Sequence, residues 1–243
     1  MDRGIWIAWY DLPDERRDDY LAWAHQTYLP KVLARAGVQW AAHYATEAKP
    51  MPSRMQAQGR LSHVEGGAVP AGSRYILLFG GTDAHAFARP LPHDFHAQLP
   101  AADRAMLALR AGERTSIMAE EARVDGPEVA SANGAIPAPC IQLGSFNAGA
   151  GQEDEEIAAW YAQWRLPCMQ KLPGCVRVRK YVSVAGWARH AILYEFTSVA
   201  ARNDHFVEHE RPYPDQEAWT VRVVRQLVHA PGSPNLARRI WPE

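Results

Sequence analysis

Apolar residues recur along the chain in two alternating periods, and their order repeats once. Ile5 to Tyr10 (IWIAWY) is an aromatic and β-branched run that predicts a strand, and Asp11-Leu-Pro-Asp14 breaks it. From Asp18 to Ala36 the spacing is helical, with Tyr20, Trp23, Leu29, Val32 and Leu33 on the packed face. Pro30 inside that stretch predicts a kink or a split, and Gly37 ends it. Val38 to Tyr44 and Arg74 to Phe79 read as strands, Ala101 to Ala111 as a helix, and Thr115 to Val124 as a strand. Residues 128–139 (EVASANGAIPAP) have no periodicity and read as a linker. The order then returns: strand Ile141–Phe146, helix Glu153–Lys171, strands Cys175–Tyr181 and His190–Phe196, helix Val199–Glu210, and a last strand over Trp219–Val228.

The repetition is in the residues as well as in the order. Trp23, Pro30, Gly37 and Tyr44 align with Trp160, Pro167, Gly174 and Tyr181, and 160−23, 167−30, 174−37 and 181−44 all give 137. A match without slippage predicts an internal duplication. Each half reads strand–helix–strand–strand–helix–strand, the ferredoxin-like order. The fold expected is therefore α+β: two tandem ferredoxin-like repeats, over 1–127 and 140–243, joined by the 128–139 linker and pairing their bare sheet faces as an intramolecular α+β barrel. The first repeat carries an insertion at 45–73, since 29 residues separate Tyr44 from Arg74 and 7 separate Tyr181 from Arg189. It reads either as a lid closing the Trp40/Tyr44 side or as a hairpin covering an apolar patch.

Composition narrows the partners. The formal net charge of −1 gives no electrostatic case for nucleic acid or an anionic membrane. No apolar run approaches the roughly 20 residues of a membrane span. Three cysteines, Cys140, Cys168 and Cys175, without CxxC spacing, suit reduced thiols and a cytoplasmic setting. Nine tryptophans suit flat apolar ligands or a core. No nucleotide-binding, nucleophile-elbow or metalloprotease pattern is present; the His205/His209 and His93/His96 spacings lack the Glu that follows the first His in HExxH and lie in polar stretches. No metal and no cofactor are expected.

The stretch Trp160-Tyr161, Leu166-Pro167, Pro173-Gly174, Arg177/Arg179/Tyr181 and Tyr194-Glu195 resembles the EthD-like branch of the dimeric α+β barrel superfamily. The resemblance covers the second half directly and the first through its repeat. It implies the barrel fold and a small-molecule site; members include monooxygenases, isomerases, cyclases, lyases, haem enzymes and proteins without known activity. The His that the family places before Leu-Pro is Arg165 in the second half and Tyr28 in the first. His25, one helical turn before Tyr28, is the candidate replacement.

Strand alternation puts Val176 and Val178 toward helices and Arg177, Arg179 and Tyr181 toward the barrel interior, with Trp40 and Tyr44 as first-half equivalents. A cationic half facing an aromatic half suits an aromatic or apolar substrate bearing a carboxylate or phenolate, with arginine as the clamp. The competing reading pairs Arg177 and Arg179 with Glu195. The leading expectation is a cofactor-independent lyase (decarboxylase), isomerase or cyclase. In it Arg165, Arg177 and Arg179 anchor the anion, Trp40, Tyr181 and Tyr194 line the site, and His25 with Tyr28 or Tyr44 moves the proton. The alternatives are a cofactor-free or haem-dependent monooxygenase and a non-catalytic barrel filled by its own side chains. A homodimer remains compatible with exposed helices.

Overall fold

The structure, a computed structural model, describes residues 2–132, 134–149 and 151–242; of Arg54 only the backbone is described. Ten strands form one sheet: β1 (Gly4–Asp11), β2 (Val38–Thr46), β3 (Ser62–His63), β4 (Tyr75–Gly81), β5 (Ala111–Asp125), β6 (Cys140–Asn147), β7 (Cys175–Ala185), β8 (His190–Phe196), β9 (Val228–His229) and β10 (Asn235–Trp241). The first half has the order β5-β1-β4-β2 and the second β10-β6-β8-β7, which is the same order. β5 pairs with β7 and β10 with β2, all antiparallel, so the eight long strands close into a barrel and leave no free edge among themselves. The fold is two tandem ferredoxin-like repeats forming an α+β barrel within one chain.

Period-two alternation divides the side chains into three layers. Ile5, Ile7, Trp9, Trp40, Tyr44, Leu143 and Tyr181 fill the interior. Trp6, Tyr10, Tyr20, Tyr28 and Phe79 pack the first half's outer face under its helices. Phe146, Trp160, Tyr161, Tyr194 and Phe206 do so in the second.

The long helix of each half is broken where the sequence places proline. Residues 17–33 are α-helical except for a π-helical turn over Ala24–Tyr28, and residues 151–169 repeat this with Tyr161–Arg165. Pro30 and Pro167 lack an N–H and crowd the carbonyl four residues earlier, so the turn before each widens: Leu29 donates to the Ala24 carbonyl and Leu166 to that of Tyr161. Gly37 (φ 84°) and Gly174 (φ 79°) leave these helices in the left-handed conformation that glycine adopts without strain.

One element was misread from the sequence. Trp219–Val228 is mostly helix, Pro214–Arg225, and the closing strand is Asn235–Trp241. The β-branched run TVRVV suggests a strand, but Thr220, Val223, Val224 and Leu227 are the buried positions, and that spacing is helical. The insertion is also displaced from its expected place. It crosses to the second half, where β3 runs parallel to β9, and Arg202 donates to the Met51 carbonyl at 2.7 Å. The Trp40/Tyr44 end is covered instead by residues 135–138, whose Pro137 and Ala138 carbonyls each accept from the Tyr44 hydroxyl at 3.0 Å.

Candidate active site in the second repeat

The residues predicted to form one site occupy separate places. Trp40, Tyr44, Arg179 and Tyr181 do face the barrel interior, as alternation requires. There Arg179 stands between two carboxylates: Nη1 pairs with Asp2 (2.6 Å), Nε lies 2.9 Å from Glu195 as an ion pair without hydrogen-bond geometry, and Nη2 donates to the Ala135 carbonyl (2.8 Å). Trp40 donates to the same Asp2 carboxylate at 2.7 Å. Burial opposes ionisation of Asp2, yet Arg179, Arg123 and the Trp40 N–H together hold its carboxyl below the usual range. The pairing with Glu195 weighed from sequence is therefore what this arginine does, and no edge of it is left for a substrate carboxylate. Arg177 stands at the rim and pairs with Asp125 at 3.1 Å.

His25 and Tyr28 lie outside the barrel wall, under the first half's helices, and cannot join Tyr44 in one proton transfer. His25 contacts His43 at 2.9 Å, and His43 contacts the Tyr10 hydroxyl at 2.8 Å. Tyr28 contacts His96 at 2.8 Å. Between the phenols of Tyr10, Tyr20 and Tyr28 sits Arg110, whose Nε donates to Tyr20 at 2.6 Å and whose guanidinium covers the Tyr10 and Tyr28 rings at 4.7 and 5.0 Å. Burial pushes the Tyr28 hydroxyl well up and the His96 imidazole down to about 4. This layer is filled by its own side chains.

The matching layer of the second half keeps a cavity of about 80 Å³. It runs between the outer face of β6 and β8 and the helices at 151–169, 202–206 and 214–225. Arg165, on the π-helical turn, is its charged centre. The guanidinium donates to Glu210 at 3.0 Å and to Nε2 of His209, and lies over the rings of Trp160, Phe206 and Tyr194 at 4.9, 5.4 and 5.7 Å. Glu210 also accepts from Thr220 (2.8 Å), which accepts from Trp160 Nε1 (3.1 Å). His209 Nδ1 donates to the Phe206 carbonyl at 2.5 Å, so Nε2 carries the lone pair that faces Arg165. Burial, then the adjacent guanidinium, lowers that imidazole to about 3. Burial raises the pKa values of Tyr161 and Tyr194, which lie beside Arg165, and so keeps both phenols protonated. Ser53, Met55 and Leu61 of the insertion complete the wall. Arg165 and Tyr194 were anticipated as site residues; Tyr161, His209, Glu210 and Gln142 were not.

This architecture, two open-faced sheets closed into one barrel, occurs in known structures. No protein-family model matches the sequence, and no curated protein does. Among solved structures, a proposed monooxygenase from Fusobacterium nucleatum superposes with a TM-score of 0.58 at 10% identity, covering 98% of this chain and 93% of that one. An anthrone oxidase-like protein gives 0.58 at 12% over 98% and 91%, and a proposed chlorite dismutase 0.50 at 12% over 98% and 94%. The chain has the dimeric α+β barrel fold. At these identities the likeness carries the architecture alone. Haem, which some proteins of this fold hold, does not fit the second-half cavity. The space is too small for the macrocycle, and both ring nitrogens of His209 are engaged, leaving no lone pair for iron. Among the described residues no helix is long and apolar enough to cross a membrane.

Proposed function

We propose that this chain is a cofactor-independent enzyme of the EthD-like branch that oxidises a small hydroxyaromatic compound with dioxygen in the second-repeat cavity. The observation that carries this reading is a buried, permanently charged Arg165 inside a pocket walled by Trp160, Phe146 and Phe206 and edged by two protonated tyrosines. Arg165 shares its charge with Glu210 through Nη1, and its Nε, without a hydrogen-bond partner among the described residues, is the donor left to favour a bound phenolate or enolate over its neutral acid in a water-poor space. Glu210 and His209 hold the guanidinium in place, and the Tyr161 and Tyr194 hydroxyls are placed to orient the substrate oxygen. The electron-rich anion then supplies electrons to O2. The ring carbon para to the hydroxyl becomes a carbonyl: one oxygen atom of O2 enters there, and the other leaves as water with that carbon's hydrogen and the hydroxyl hydrogen, so that the product is a quinone. The monooxygenase and oxidase names of the structural neighbours support this ordering over the lyase reading. So does the separation of His25 and Tyr28 from the barrel arginines.

The test is oxygen consumption by the purified chain supplied with phenol and with 1-naphthol, the one- and two-ring hydroxyaromatics closest to the size of the cavity. Turnover that consumes O2, and that falls by about two orders of magnitude in Arg165→Gln, is the expected result. Substrate loss under argon at the aerobic rate would overturn the oxygenase reading in favour of proton-transfer chemistry, and no turnover of either compound counts against the proposal.

A further inference from the structure

The two mouths of the barrel are built differently. One is closed by the Asp2–Arg179–Glu195 network described above. At the other, β1 and β5 place Trp9 directly opposite Arg114, and the guanidinium lies 4.5 Å over the indole. Arg114 is 9% exposed and Trp9 1%. Nη1 of Arg114 donates to the carbonyls of Gly72 (2.9 Å) and Pro70 (3.4 Å). Among the described residues Nε and Nη2 have no hydrogen-bond partner, nor do Trp9 Nε1 and the hydroxyl of Ser145, itself 1% exposed. All three side chains line one cavity of about 230 Å³, larger than that of the second repeat. Among the described residues Arg114 forms no ion pair. Asp11, the acid whose charge acts on it, accepts from the backbone N–H groups of Ser73 and Arg74 instead. Burial pulls the arginine's pKa down to about 10, the mark of a charge without adequate compensation.

Buried donors without acceptors need an account. The unpartnered nitrogens, Nε and Nη2, form one edge of the guanidinium, the fork that takes both oxygens of a carboxylate in parallel N–H···O bonds. Trp9 Nε1–H and the Ser145 hydroxyl add two further donors, and no acidic side chain lines the cavity to repel an anion. Thr115 and Ser116 continue β5 beside Arg114, and the rest of the wall is mainly apolar, with Val69, Pro70, Trp187, Ala188 and Ala230. Inorganic anions need donors all round. A cavity with donors at one side and hydrocarbon at the other fits an anion with an apolar body.

We propose that this barrel mouth is a second binding site, which takes a small aromatic or short-chain aliphatic carboxylate on Arg114, Trp9 and Ser145. The site is separate from the second-repeat cavity and stands whether or not that cavity is the oxidation site. Isothermal titration of the full chain with benzoate, hexanoate and inorganic phosphate tests it. Saturable binding of benzoate or hexanoate is expected, with a Kd of about 1 mM or tighter. Arg114→Lys keeps the charge but loses the fork, and should weaken binding at least about tenfold. Ser145→Ala should weaken it a few-fold, and Arg165→Gln should leave it unchanged. In the 15N–1H spectrum the Trp9 indole resonance, assigned by its loss in Trp9→Phe, should shift on addition of benzoate. This readout holds even if Arg114 variants fold poorly. No binding of either carboxylate, displacement of bound benzoate by equimolar phosphate, or an unmoved Trp9 resonance would each overturn the proposal.

Discussion

The two repeats share a fold and a helix break, yet one is filled and the other is hollow. β1 and β6 are both eight residues long, and their outward positions correspond: Trp6 with Gln142, Ala8 with Gly144, Tyr10 with Phe146. Trp6 stacks on Phe79 at 4.6 Å, whereas Gln142 is drawn aside to Arg202, which donates to it at 2.8 Å. Replacing an indole by an amide turned toward the edge opens the space beneath the second half's helices. The centre changes as well: Tyr28 packs on its neighbours in the first repeat, and Arg165 occupies the same helical position in the second. Close packing fills the outer layer of the first repeat, and the proposed binding site lies in the second. A duplicated fold can divide stability and chemistry between its copies in this way.

The largest effect should come from emptying the filled repeat. Trp6→Ala removes a fully buried indole and should cost about 3–5 kcal/mol in denaturant unfolding. Gln142→Ala, its counterpart beside a cavity, should cost under about 1.5 kcal/mol. Equal losses would erase the contrast between the repeats. Converting the centre of the hollow repeat comes next. Arg165→Tyr, which copies the first repeat, should abolish the proposed turnover, a loss of at least about 100-fold, or ~2.7 kcal/mol of barrier. Tyr28→Phe should leave that rate unaltered.

A smaller effect is acid lability in both layers. His96 and His209 have folded pKa values of about 4 and about 3, below an ordinary 6.5. The unfolded chain therefore binds more protons between those limits. Stability is fully present above pH 6.5 and is lost as pH falls toward 4, by up to about 1.4 kcal/mol per pH unit for each histidine. His96→Gln should flatten the fall in melting temperature between pH 6.5 and 4; an unchanged slope would remove His96 from this account. The smallest effect belongs to the insertion. Met55→Ala trims the cavity wall and should raise KM two- to five-fold, or under about 1 kcal/mol, at constant kcat.

The sequence by itself determined the duplication, the ferredoxin-like order, the helix break at Pro30, and which face of β7 turns inward. These are local periodicities of 2 and 3.6 residues, and a 137-residue offset needs no coordinates. The signal for the hollow repeat was also present, since aligning Ile5–Tyr10 with Ile141–Phe146 sets Trp6 against Gln142. What only the tertiary structure decided is where charges find partners. Asp2 lies 177 positions from Arg179, and Arg165 lies 45 from Glu210. No spacing rule reveals that the first arginine is spent on neutralising a carboxylate, that the second heads a cavity, or that Arg114 keeps an edge free. Barrel closure brings those groups together, and burial then requires each to be paired or to await a ligand.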